Sequence, residues 1–145
     1  MDSAEQIKEK RKEKWFDVWF SIEALAVDKS VVEDALATHV EKMGDIRDIL
    51  IYEKEFSETV KVENPMKNVA EAYSQIAKVK FFAKSLTTLI SVVLTYGPSA
   101  VEILGPDRHE MKIDEVQGIA NLLAGVVHQF AAAGVGGIII TPDKK

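Results

Sequence analysis

Between Pro65 and the Gly97-Pro98 pair, apolar residues fall at Ala72, Ile76, Val79, Ala83, Leu86, Ile90 and Val93, alternately four and three positions apart. That is the spacing of a heptad seam on one helix. A second line, Val69, Tyr73, Phe81, Phe82, Leu89 and Val92, widens it. The pattern predicts a long helix over residues 67–96 with two apolar faces, one packed on its own domain and one open to another copy of the chain. Thr87, Thr88, Val92, Val93 and Thr95 are β-branched and admit a strand, but the seam runs through them unbroken, which favours helix.

Upstream, Phe16, Val18, Phe20, Ile22 and Ala24 alternate with Trp15, Asp17, Trp19, Ser21 and Glu23. This is the period of a strand with one buried face, and two tryptophans on the other face call for a cover. Ser30 with Glu33 has capping-box form, and Val32, Ala35, Leu36, Val40 and Met43 follow at helical spacing until Gly44. Residues 46–56 and 59–63 read as strands, with Ser57-Glu58 either a reversal between them or a bulge in a single strand. After the long helix come a strand at 100–104, turns at Gly97-Pro98 and Gly105-Pro106, and a helix at 115–133 that is apolar almost all round. Such a helix is buried rather than surface-bound. Gly134, Gly136 and Gly137 separate it from a β-forming triplet, Ile138, Ile139 and Ile140.

The order strand, helix, strand, strand, helix, strand predicts an α+β fold, a ferredoxin-like two-layer sandwich (β-α-β-β-α-β) with an added C-terminal apolar helix and a short β tail. The main rival is a helix-dominated α+β domain in which residues 92–96 and 100–104 form a hairpin. Residues 1–14 read as a charged lead-in helix and residues 15–145 as a single domain. At 145 residues and 47% hydrophobic the chain can build its own core.

Charge and composition narrow the chemistry. The chain has 18 Lys and Arg against 23 Asp and Glu, a net charge of −5, so no overall positive field draws it to nucleic acid or anionic lipid. Cysteine is absent, which removes disulfides and thiolate chemistry and fits a reducing cytoplasm. Few Gln and Asn beside abundant Lys and Glu resemble thermophile composition. The charged N-terminus has no secretory-signal pattern. Residues 116–142 carry no formal charge, yet Gln117, Asn121, His128, Gln129 and the glycines interrupt them, which argues against a membrane span.

Candidate chemistry is sparse. His39, His109 and His128 stand apart, without the i, i+3 or i+4 partner of a helical metal pair, so no metal and no cofactor are expected. Gly134-Val135-Gly136-Gly137 follows a helix instead of opening one, the wrong order for a phosphate loop. The acidic residues between Asp45 and Glu63 alternate as on a wet sheet face, and no serine has a Gly-x-Ser-x-Gly context. The densest polar cluster beside turns is Tyr96, Ser99, Glu102, Arg108 and His109, the first choice for a ligand site.

Three functional readings follow. The first is a non-enzymatic, cytoplasmic homo-oligomer, a dimer or higher, that acts as a ligand- or partner-binding scaffold. Its self-contacts run through Val79, Leu86, Ile90, Val93, Leu123, Val127, Ile138, Ile139 and Ile140. The second is an enzyme with a site formed between subunits by residues such as Glu102, Arg108 and His109. The third is a nucleic-acid contact through Lys8, Lys10, Arg11, Lys12 and Lys14 with the neighbouring aromatics, which the net acidity opposes.

Overall fold

The structure is a computed structural model that describes residues 2–134, the side chain of Met66 excepted. The expected tail strand at Ile138, Ile139 and Ile140 lies outside the described residues. Helix α1 (Ser3–Lys12) is capped by Asp2, whose carboxylate accepts from the Glu5 amide at 2.8 Å. It leads into strand β1 (Phe16–Ala26) and helix α2 (Lys29–Gly44), which buries Val32, Leu36, Val40 and Met43 one turn apart. The N-cap of α2 is Asp28, so the capping box expected at Ser30 does not form.

Strands β2 (Ile49–Phe56), β3 (Val60–Met66) and β4 (Val69–Ala83) follow, then helix α3 (Leu86–Tyr96), strand β5 (Ala100–Gly105) and helix α4 (Ile113–Ala132). Ser85 caps α3, accepting from the Thr88 amide at 3.1 Å. Gly97, at φ 55°, ends it in the left-handed region that costs glycine least. The helical end of this segment removes the hairpin of residues 92–96 with 100–104 on which the rival fold rested.

All strand pairs are antiparallel, in the order β2-β4-β1-β5, with β3 also on β4. β2 faces residues 77–83 of β4 and β3 faces residues 69–74, so β2 and β3 lie end to end along one edge of the same strand. Ser57 pins the interruption between them. Its amide donates to the Ile76 carbonyl at 2.8 Å, its hydroxyl accepts from the Ile76 amide at 2.9 Å, and Gln75 Nε2 donates to its carbonyl at 3.0 Å.

This corrects the expected fold. The segment read as one long helix, 67–96, is a 15-residue strand followed by an 11-residue helix. There is no reversal at Ser57-Glu58. The hairpin instead closes between β3 and β4, at Met66↔Val69. The result is an α+β fold around a five-stranded antiparallel sheet, with element order α-β-α-β-β-β-α-β-α, and not a simple β-α-β-β-α-β ferredoxin-like sandwich.

The alternation in β1 and β4 shows why the sheet forms where it does. Phe16, Val18, Phe20 and Ile22 pair with Ala83, Phe81, Val79 and Ala77, and all are buried against Leu36, Val40 and Met43 of α2 and Leu89 and Val92 of α3. Phe20 and Phe81 meet edge to face with ring centroids 4.7 Å apart. The intervening Lys78 and Lys80 point to the other face of β4. Among the described residues no helix is long and apolar enough to cross a membrane. The chain divides into two compact units between His109 and Glu110, and α4 belongs to the second.

Candidate functional site

The face of the sheet away from α2 and α3 holds the most structured polar group in the first unit. Asp17, second residue of β1, points to this face and is only 8% exposed. Buried carboxylates need partners. The Tyr52 hydroxyl donates to Asp17 Oδ1 at 2.6 Å, and Arg11 Nη2 lies 3.5 Å from Oδ2. Tyr52 lies on the Asp17 face by alternation from Leu50, and the bulge between Ile51 and Glu53 brings Glu53 to that face as well. Its ring then packs on Phe82 at 4.9 Å, Phe82 being the cross-strand partner of both Asp17 and Leu50. Arg11 comes from the last turn of α1, with its guanidinium 5.9 Å from the Phe82 ring.

The same helix end covers one of the two tryptophans. Lys10 Nζ sits 4.1 Å over the Trp15 ring, while Trp19 is half-buried. Two cations of the basic run, Lys10 and Arg11, are therefore engaged within the chain. Beside Asp17 opens a cleft of about 330 Å³ lined by Arg11, Lys14, Trp15, Asp17, Leu104, Gly105, Pro106 and Asp107. Its size is at the lower end for small-molecule sites, roughly 300–1,000 Å³. The Arg11 side chain is 60% exposed, so donors not directed at Asp17 can hold a polar group by hydrogen bonds.

The cluster is a lock rather than a reactive pair. Burial pushes the Tyr52 phenol well above its ordinary value, and the hydrogen bond to Asp17 and its negative charge add to the shift. A phenol held neutral in the fold stabilises it below the unfolded value of about 10, and that stability is lost as pH rises beyond it. Titration by ultraviolet absorbance should show one tyrosine ionising well above the ordinary range, a component absent from Tyr52→Phe. Completion of the wild-type titration within the ordinary range would show that the lock does not exist in solution.

The structure scatters the ligand cluster expected from sequence. The Tyr96 carbonyl is 3.0 Å from His39 Nε2, and the two rings meet at 4.8 Å. Ser99 Oγ donates to the Ser21 carbonyl at 3.0 Å. Glu102 faces solvent opposite Trp19. Arg108 is exposed, and His109 lies with its ring 4.7 Å from Phe16. Tyr96 and Ser99 precede β5 and Arg108 and His109 follow it, so a strand of roughly 20 Å separates them. Asp17, Tyr52 and Arg11 were missed. The available signal was Asp17 itself, a carboxylate inside an aromatic-rich strand.

The residues expected at an oligomer interface also divide. Val79 is fully enclosed in the chain's own core, Leu86 and Val93 pack half-buried against it, and Ile90 is half-buried. Leu123 and Val127 of α4 are exposed. Ile138, Ile139 and Ile140 lie outside the described residues. Among the described residues no three His, Asp or Glu side chains are grouped to hold a metal ion.

The sequence profile of the MJ0538 family matches residues 17–140, from Asp17 through the whole of α4, and the chain belongs to that family. No curated protein matches it.

Proposed function

We propose that this member of the MJ0538 family is a non-enzymatic, cytoplasmic binding module that works as a homo-oligomer, its copies joined chiefly through α4. The observation that supports this reading most is the apolar surface of that helix. Ile113 is 81% exposed, Val127 and Phe130 are each 51%, Leu123 is 42% and Val116 is 41%. Large apolar patches left in water mark interaction surfaces.

The outer edge of β5 adds to it. Among the described residues β5 pairs with β1 alone, carries neither proline nor lysine, and exposes Val101, Ile103 and Leu104. The opposite edge, β2, has its bulge and the charged run Glu53, Lys54 and Glu55, the usual protection against strand addition. The cleft beside Asp17 is the natural place for a small ligand of such a module.

Magnitudes bound the affinity. Covering the exposed half of five large side chains in each copy contributes about 1 kcal/mol per side chain, or about 10 kcal/mol for two copies. Loss of rotational and translational freedom costs about 4–15 kcal/mol. The α4 surface alone therefore supports an association of modest strength.

Sedimentation equilibrium at micromolar concentration tests the reading. The wild-type chain should sediment at twice 16.1 kDa or more. Leu123→Glu with Val127→Glu should weaken association about 100-fold or more while leaving circular dichroism unchanged. A clean 16.1 kDa wild-type monomer would overturn the reading.

A further inference from the structure

Most of α4 is exposed, and its large exposed apolar side chains, with Ala120 between them, lie on one line. Ile113, Val116, Ala120, Leu123, Val127 and Phe130 follow one another at intervals of three, four, three, four and three, and every one of them is exposed. That is a two-stranded coiled-coil seam, the pattern that selects another helix as its partner. The order of intervals is the same read in either direction. The seam can therefore face an inverted copy of itself with every layer filled.

Resting on the homo-oligomer reading, we infer that two copies of α4 pair antiparallel about a two-fold axis between Asn121 and Leu122. Ile113 of each copy then meets Phe130 of the other, Val116 meets Val127, and Ala120 meets Leu123. Each layer combines a smaller with a larger side chain, or two of equal size, so layer volumes are even along the helix. A parallel pair would set Phe130 on Phe130 and Ala120 on Ala120, one layer crowded and another hollow, both of which destabilise.

Charge points the same way. The charged residues of α4 are Asp114 and Glu115, both in its first turn. A parallel pair would bring four carboxylates to one end. The antiparallel pair holds the two sets apart by most of the roughly 30 Å length of a 20-residue helix, and opposed helix dipoles favour it as well. A two-fold axis through the seam makes the contact isologous and closed, a dimer rather than a fibre.

The absence of cysteine from the natural chain allows a clean test. Val116→Cys and Val127→Cys are made as single variants of the full chain, each with a distinguishable tag. After confirmation by sedimentation that both dimerise, they are cross-linked by mild oxidation, alone and as an equimolar mixture. The mixture should give mixed 116–127 dimers at least about tenfold more efficiently than either variant gives self-linked dimers. Persistent dimers in which Val116→Cys links to itself as well as to Val127→Cys would overturn the antiparallel pairing and leave homo-oligomerisation standing. Monomeric sedimentation of the wild-type chain would remove both.

Discussion

Replacing Phe20 by alanine should cost about 3–5 kcal/mol of folding stability, read as a fall in the urea midpoint with little change in slope. Phe20 is fully enclosed in the middle of β1, with Val79 of β4 on one side and Val101 of β5 on the other. Its ring meets Phe81 edge to face, so truncation removes both buried area and a specific aromatic contact. Because ordinary domains are stable by only about 5–15 kcal/mol, the variant should approach the limit of folding. Phe20→Leu, which refills most of the volume, should recover more than half of the loss. A cost below about 1 kcal/mol for the alanine variant would mean that the β1–β4 core is not the one described.

Val79→Glu should be more severe. Val79 is fully enclosed on the helix-facing side of β4, directly across from Phe20. Phe20, Val18 and Phe81 offer no cation to a carboxylate there, Lys54 across from it on β2 is exposed, and burying a poorly compensated charge costs several kcal/mol even after relaxation. The expected result is a chain without a cooperative unfolding transition by circular dichroism. Leu123→Glu provides the contrast, because Leu123 is exposed in a single copy. It should retain the native spectrum and lose association. If Val79→Glu kept the native spectrum and lost only association, Val79 would belong to a self-contact and the core assignment would be wrong.

That contrast also shows which parts of the fold were legible in the sequence. β1 was legible because its apolar residues alternate without exception from Phe16 to Ala24 and its neighbours on both sides leave that face to the core. α2 was legible from Val32, Leu36, Val40 and Met43, the four residues that it buries. β4 was misread because Ala72, Ile76, Val79 and Ala83 satisfy helical spacing, while the period-two set Ala77, Val79 and Phe81, separated by Lys78 and Lys80, satisfies strand spacing equally well. Pairing with β1 on one edge and with β2 and β3 on the other decided between them, and single-chain periodicity contains no term for a neighbour.

The candidate site was less legible for the same reason. Arg11, Asp17 and Tyr52 come from three elements, and the pairing of β1 and β2 on either side of β4 brings Tyr52 to Asp17. Alternation puts Asp17 and Tyr52 each on the face away from the core, but nothing in local spacing announces that β1 and β2 flank the same strand. The loop after β5, expected to hold a ligand cluster, does border the cleft, but through Pro106 and Asp107 and not through Arg108 or His109. The apolar character of α4 was plain from composition. The burial expected of it is not found: Ile113, Val116, Leu123, Val127 and Phe130 are exposed, and Asp114, Gln117, Asn121 and His128 form a polar stripe on the same helix.

The place of β4 at the centre of the sheet has a consequence for the chain as it is being made. β1 is complete by Ala26, yet its partner β4 ends at Ala83, where it faces Phe16. Roughly sixty residues must leave the ribosome in between, about 3–12 s of synthesis at ~5–20 residues per second. Through that interval Phe16, Val18, Phe20 and Ile22 have no strand beside them, and α2 is the one core-forming helix already synthesised that can lie across them. The period of greatest danger for this protein therefore falls before β4 emerges, when a nascent chain carries a bare aromatic strand, and substitutions that weaken α2 would lower yield in the cell by more than the stability of the finished fold accounts for.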